Sequence, residues 1–328
     1  MNRILIAASA AVLAAGLTAC AAGGTDSSAS GDNDDYPSKD LEWTIAFGPG
    51  GGNDIMSRKM VDIIEKEDLY PGNITVENMD GGSGARGWGH LYSQSGSGYD
   101  ISTTSGSFLT TPLQADTGWT YEDFTPVGLM STDAAVFLVD SKSKVKTWDD
   151  WVAYAKKKGK VVVGGIGTVN VDYIVHAMLA EHEGYKIDYV PYNEEGQVQT
   201  SLLSGALDAA VSNPAEVLGQ IESGDMTPLL YTGQEPMGEL PDVPTAESVG
   251  AENIPTMPRG VILPPDVPDD VRDWWIDTLK KVVDTDEWKK YLEQNYLEPD
   301  ERWGDDFGSY LEETGSELED KLEEQGAL

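Results

Sequence analysis

Hydrophobic side chains alternate with other residues at Leu41, Trp43, Ile45 and Phe47, the period of a half-buried strand. The glycine-rich run at 48–54 (GPGGGND) follows, and then Met56, Met60, Ile63 and Ile64 recur at helical spacing. The pattern predicts strand, glycine loop, helix, and it returns twice. Residues 74–76 read as a short strand, 81–87 (GGSGARG) as a loop, and 90–92 as part of the next helix. Residues 161–163 read as an apolar strand and 164–170 (GGIGTVN) as a loop. Val171, Ile174, Val175, Met178 and Leu179 then mark one face of a helix. Such alternation predicts α/β lobes with largely parallel sheets. Beyond Pro268 the chain reads as helical. Pro268, Asp269 and Asp270 suit a first turn, and Val271, Trp274, Trp275, Leu279 and Val282 share an apolar face. Asp284 and Glu287 have capping-box spacing, and 312–324 forms a charged closing helix.

The amino end carries a different pattern. Arg3 precedes an almost wholly apolar run at 4–19, and no acid occurs before Asp26. That is the layout of a secretory signal rather than a membrane span. The run ends in Leu17-Thr18-Ala19-Cys20, which resembles a bacterial lipobox, and Cys20 is the only cysteine in 328 residues. The expectation is a signal peptide at 1–19, a lipid-modified Cys20 as the mature terminus, and a flexible acidic tether at 20–35. One cysteine excludes an intrachain disulfide and a cysteine metal cluster. The net charge of −35 disfavours nucleic acid and anionic lipid as partners.

The candidate chemistry is mostly of exclusion. GPGGGND lacks the Lys-Ser/Thr of a phosphate-binding loop. Gly82, Gly84 and Gly87 spell GxGxxG, but Glu77-Asn78-Met79-Asp80 intervenes between strand and loop, and GGIGTVN lacks a third glycine. No nucleotide or other cofactor is expected. His90, His176 and His182 are the only histidines, no H-E-x-x-H or G-x-S-x-G occurs, and no catalytic or metal site is expected. A glycine loop before a helix does present free N–H groups at the positive end of the helix dipole. Two such loops, one per lobe, would seat the two ends of a dicarboxylate; the alternative is that the glycines serve only tight turns.

From Tyr36 onward the chain resembles the receptor component of tripartite tricarboxylate transporters, the TctC or Bug family. YPSK resembles the family's YPxKP, GPGGGND its FPPGGGTD, and VENMDGGSGARG its VENKPGAGGxxG. FTPVGLM resembles FTPVALL, and GGIGTVNVDYIVHAML the GxGTxSxDHxAAxL segment. VPYNEEGQVQTSLLSGALDAAVSNPAE, LPDVPTAESVG and RGVILPPDVP have counterparts in the same order. Phe47-Gly48-Pro49, Asn53, Tyr173 and the run at 193–197 depart from the pattern.

The resemblance implies an α/β, two-lobed periplasmic-binding-protein-like (Venus flytrap) fold with the ligand cleft between the lobes. Lobe 1 would comprise 36–133 plus 257–328 and lobe 2 134–256, with crossings near 130–136 and 256–263. Carried over by position, lobe 1 would offer Phe47, Gly50, Gly51, Gly52, Asn53 and Asp54, with Thr104, Ser105, Gly106 and Ser107 as a second edge. Lobe 2 would offer Gly167, Thr168, Asn170 and Asp172, then Tyr192, Asn193, Ser212 and Asn213. Asp54 and Asp172 would repel an anion, so capping or ligand hydroxyls are their expected roles. Arg86 and Arg259 are further candidates. The implied function is that of a monomeric, extracytoplasmic lipoprotein, not an enzyme. It would deliver a small di- or tricarboxylate to integral-membrane permease subunits. A carboxylate sensor for a signalling partner, or an enzyme using the same cleft, are the alternatives.

Overall fold

A computed structural model describes residues 36–168, 170–192, 195–324, 326 and 328; the expected signal, Cys20 and the tether lie outside them. The elements run β1 (Leu41–Ile45), α1 (Gly52–Lys66), β2 (Ile74–Asn78), α2 (Ala85–Tyr92), β3 (Asp100–Thr103), α3 (Gly106–Gln114) and β4 (Thr125–Asp133). Then come β5 (Val136–Asp140), α4 (Trp148–Lys158), β6 (Lys160–Ile166), α5 (Val171–Glu183), β7 (Lys186–Tyr192), α6 (Glu195–Leu203), β8 (Ala209–Ser212), α7 (Pro214–Glu222) and β9 (Met226–Tyr231). The chain closes with β10 (Met257–Leu263), α8 (Asp269–Asp284), α9 (Asp286–Asn295), β11 (Glu298–Trp303) and α10 (Asp305–Glu324).

Two sheets result, in the orders β11-β4-β10-β3-β1-β2 and β7-β6-β8-β5-β9. The strand–loop–helix units give the parallel pairs, β1 with β2 and β3, and β6 with β7 and β8. The expected largely parallel sheets are corrected to mixed ones. β10 runs antiparallel to β3 and β4, β11 to β4, and β5 to β8 and β9. The antiparallel pairs come from segments whose partners lie far off in sequence, so no local period announces them. The chain leaves the first sheet at Asp133, enters the second at Val136, and returns at Met257.

Each sheet is covered on both faces. In lobe 1, Trp43 and Ile45 meet Met56, Met60, Trp275 and Leu279 from α1 and α8, while Trp88, Phe108, Ile262 and Phe307 fill the other side. In lobe 2, Phe137, Trp151, Val163 and Leu179 lie on one face and Leu138, Val198, Leu202 and Val217 on the other. Full burial of a Leu or Met side chain stabilises by about 1.5–3 kcal/mol. α5 belongs to both lobes: Val171, Val175 and Leu179 pack in lobe 2, whereas Ile174, fully buried, joins Phe108 and Phe307 of lobe 1.

Local chemistry differs from expectation at two places. Gly164 and Gly165 continue β6 rather than opening a loop. A Cβ at Gly164 would lie 2.7 Å from Leu207, and one at Gly165 2.4 Å from the Cβ of Asp172, so close approach requires glycine there. α9 is capped by Thr285, whose hydroxyl accepts from the Trp288 amide at 3.1 Å, not by Asp284.

β10 crosses lobe 1 with no room for a larger residue at Gly260, where a Cβ would meet Phe307 at 2.4 Å and the Gly128 carbonyl at 2.9 Å. Gly260→Ala is expected to destabilise by about 1–3 kcal/mol through overpacking, measured as a lower urea midpoint at unchanged slope. An unchanged midpoint would contradict this packing.

Candidate functional site

β10 stands between two helix N-termini of lobe 1. Its Arg259 guanidinium lies against the start of α1, where a Cβ on Gly52 would come within 2.8 Å of Nη2. Nη1 donates to Asn53 Oδ1 at 2.8 Å, and Nη2 donates to the Asp133 carboxylate at the end of β4. Arg259, Asn53 and Asp133 are all buried. One residue further, the Thr104 amide donates to Gly260 O at 2.9 Å and the Gly260 amide to Thr104 Oγ1 at 3.0 Å, which sets the start of α3 on the other side.

Lobe 2 closes on this edge. A Cβ at Gly106 would lie 2.5 Å from Val171 Cγ2 and 3.3 Å from Asn170 Oδ1, so α3 and α5 meet end to end. α1, α3 and α7 begin at Gly51, Ser105 and Asn213, and none receives a side-chain cap. Their first amides are left free for a ligand or water. The buried Asn53 Nδ2, Ser105 Oγ and Asn213 Nδ2 also lack a hydrogen-bond partner. Buried polar atoms are rarely left this way, and these three stand at the starts of α1, α3 and α7, where an acceptor from outside the chain would complete them.

Several residues expected at the site make bonds that hold the loops. Asp54 Oδ2 accepts from the Gly50 amide at 2.9 Å, and Oδ1 accepts from Arg58 Nε at 2.9 Å and Asn78 Nδ2 at 3.0 Å. Burial pushes this carboxyl up, but those bonds outweigh it and hold it below the usual range. Asp172 Oδ2 accepts from the Ile166 amide at 2.7 Å, tying the start of α5 to the end of β6. Phe47 packs edge-on against Trp88, with ring centroids 5.5 Å apart. Gly167, at φ +74°, donates to Tyr192 O at 2.9 Å, a turn that glycine suits. Ser107 is buried on α3, Thr168 is exposed, and Asn193 lies outside the described residues. Arg86 is exposed on α2, with Nη1 3.5 Å from Asp80 O.

Lobe 2 adds acids that the motifs did not single out. Glu195 Oε1 accepts from Ser212 Oγ at 2.5 Å and from Gln199 Nε2 at 3.4 Å. Gln199 Nε2 also donates to Glu216 O at 3.0 Å, linking the starts of α6 and α7. Burial raises the carboxyl of Asp172 to about 8, and Glu195, Glu216 and Asp133 add repulsion. Burial likewise raises Glu216 to about 7, with Glu195 and Asp133 reinforcing the shift and Arg259 opposing it. Glu195 is raised by burial against the bonds from Ser212 and Gln199. The sequence signal for Glu195 was the departure at 193–197; Arg259 was a candidate, but its pairing with Asp133, 126 positions away, had no local signal.

The histidines do not form a catalytic set. His90 lies 3.1 Å from Glu42, His182 lies 3.3 Å from Val249 O, and His176 is buried against Gly164 O with its pKa lowered by burial to about 3. A separate groove of about 580 Å³ lies at α9 and β11, lined by Tyr231, Met237, Trp288, Leu292, Tyr296 and Pro299.

Two α/β lobes joined by crossing strands, with helix starts meeting between them, form the architecture shared with solved solute-binding proteins. The family model described as tripartite tricarboxylate transporter family receptor matches residues 60–325, and the chain belongs to that family. "Protein BugT" of Bordetella pertussis is 24% identical over 237 residues, covering 71% of this chain and 72% of the relative. The "UPF0065 protein in gbd 5'region" of Cupriavidus necator is 24% identical over 268 residues, 81% of each chain. Among solved structures, MatC from Rhodopseudomonas palustris with bound malate superposes with TM-score 0.75 at 18% identity, covering 88% of this chain and 100% of that one. An R. palustris protein with adipate gives TM-score 0.78 at 19% identity, covering 89% and 99%.

The raised carboxyl of Asp172 predicts a pH dependence. A carboxyl that holds its proton in the fold but loses it on unfolding stabilises at low pH, and that contribution is lost as pH rises from about 4 to about 8. Asp172→Asn keeps an acceptor for the Ile166 amide and removes the titration. Its thermal midpoint is expected to exceed the parent's at pH 8 and to converge on it near pH 4. A difference independent of pH would contradict the assignment.

Proposed function

We propose that the protein is a lipid-anchored extracytoplasmic receptor that captures a small carboxylate between its lobes and delivers it to membrane permease subunits, without chemical turnover. The observation that carries this reading is the convergence of uncapped helix starts with buried, unpartnered donors at Asn53 and Ser105. A carboxylate oxygen is the acceptor those groups lack, and dipole and amides act together on it. Malate and adipate in the two R. palustris proteins fit the same chemistry. Lobe 1 is 36–133 plus 257–328 and lobe 2 is 134–256, moving about the Asp133–Val136 and Met257 crossings. Glycine loops, hydroxyls and water hold the ligand, and Arg259, already paired with Asp133, sets the floor of the cleft.

A thermal-shift screen of di- and tricarboxylates tests the reading, since a ligand at 100 times its Kd stabilises by about 2.7 kcal/mol. A saturable rise with at least one small carboxylate is expected, and none across the series would overturn it. Gly51→Asp sharpens the test. Gly51 has extended φ of −80° and open space for a side chain, so aspartate fits there and would cap α1 itself. The variant is expected to keep or raise its melting point while losing carboxylate binding by roughly tenfold or more, the scale of one charge-assisted hydrogen bond. For the anchor, Cys20→Ser is expected to abolish labelling by fatty acid; retained labelling would remove the lipid from the account.

A further inference from the structure

The end of the first sheet that lies away from the cleft carries a cluster of a different kind. Glu42 stands near the amino end of β1, whereas the cleft forms beyond its carboxyl end, where α1 starts. β1 and β3 run parallel in a register that sets Glu42 beside Asp100 and Trp43 beside Ile101. Trp43 and Ile101 belong to the core shared with α1 and α8. Side chains alternate along a strand, so Glu42 and Asp100 both turn to the opposite face, the one that α2 covers. There α2 brings His90 onto them, with Nε2 3.1 Å from Glu42 Oε1. One donor atom each from Glu42, His90 and Asp100 lies within 4.8 Å of the others. The three residues come from three elements, so no spacing motif announces them. Two carboxylates held side by side repel unless a cation stands between them. Among the described residues neither pairs with a lysine or arginine, and His90 is the one basic group at hand.

We infer that Glu42, His90 and Asp100 bind a divalent transition-metal ion such as zinc, through His90 Nε2 and one oxygen of each carboxylate. The donor set fits that class, because imidazole suits transition metals, whereas calcium and magnesium take oxygen ligands. Zinc holds nitrogen and oxygen in a tetrahedron whose donors lie roughly 3.3–3.6 Å apart. The 3.1 Å contact has that scale already, and the 4.8 Å spread closes by small side-chain rotations. All three residues are partly exposed, which leaves the remaining coordination to water. With its proton on Nδ1, neutral His90 presents the Nε2 lone pair to the ion. An outer support is also in place. Ser97 Oγ donates to Asp100 Oδ2 and accepts from the Tyr99 amide at 3.2 Å, which fixes the carboxylate and leaves its Oδ1 for the metal. Bound there, the ion clasps α2 to β1 and β3 and steadies lobe 1 without touching the cleft.

Calorimetry of the EDTA-stripped, dialysed protein with zinc chloride tests the site, with calcium and magnesium chlorides in parallel. Saturable binding of one zinc per chain is expected, at concentrations where calcium and magnesium do not bind, together with a rise in melting point. His90→Gln is expected to abolish it. Glu42→Gln and Asp100→Asn are each expected to weaken it by about tenfold or more, and Ser97→Ala by roughly tenfold. The three ligand variants are read independently, each with its melting point in the absence of metal, so one that fails to fold leaves two. His182→Gln, at an exposed position on α5, is expected to change nothing. Zinc retained by His90→Gln and lost by His182→Gln would overturn the inference and move the ion to α5. Several ions per chain, with calcium, magnesium and zinc alike and His90 indifferent, would overturn it in favour of a diffuse ion atmosphere on an acidic surface. Absence of zinc binding would reduce the cluster to a hydrogen bond between His90 and Glu42. Carboxylate binding by His90→Gln is expected to equal the parent's, which keeps failure of the metal site separate from failure of the receptor reading.

Discussion

The buried contact of Arg259 with Asp133 and Asn53 is the constraint on which the cleft depends. It joins three parts of the chain: β10 returning from lobe 2, the end of β4 departing for it, and the first turn of α1. Removing one partner of such a pair leaves a buried charge exposed to nothing, which costs about 3–5 kcal/mol. The pair also settles the electrostatics of the floor. A guanidinium at full charge beside α1 would make an anion trap by itself. Balanced by Asp133, it leaves selectivity to amides, hydroxyls and the acids of lobe 2.

α5 sets the relation of the two lobes in this structure. One face of the helix packs against the lobe 2 sheet, and Ile174 inserts among Phe108 and Phe307 of lobe 1. At its start, Asn170 and Val171 abut Gly106. Opening the cleft about the crossings would expose Ile174 to water, a cost of roughly 1.5–3 kcal/mol for a fully buried aliphatic side chain. A ligand's differential affinity for two conformations can match a cost of that size. The glycines at this seam matter for what they omit: at Gly106 a methyl group would hold the lobes apart.

Much of this architecture was legible in the sequence, and the limits have physical causes. β1–α1, β2–α2 and β6–α5 announced themselves because strand and helix periods are local, and glycine loops separate them. β11 escaped because Glu298-Pro299-Asp300-Glu301 has no apolar alternation; it is an edge strand fixed by pairing with β4. The mixed sheet escaped for the same reason, since the antiparallel partners of β10 lie more than a hundred residues away. Resemblance supplied the two lobes and the positions of the candidate residues. It could not supply what those side chains do. Asp54 was expected to cap or to meet ligand hydroxyls; its carboxylate bonds Gly50, Arg58 and Asn78 and holds the loop, while the start of α1 receives no side-chain cap. Ser212 was expected to meet ligand and meets Glu195, a residue in the very run that departs from the family pattern.

The central claim is that ligand lies where the uncapped α1, α3 and α7 begin, with its carboxylate on lobe 1. A crystal structure with the tightest-binding acid from the screen tests it most directly. The account predicts a carboxylate oxygen within 2.7–3.2 Å of Asn53 Nδ2 or Ser105 Oγ, the ordinary range of such bonds. A ligand seated instead in the groove lined by Tyr231, Trp288 and Tyr296, with Asn53 and Ser105 still unpartnered, would contradict it.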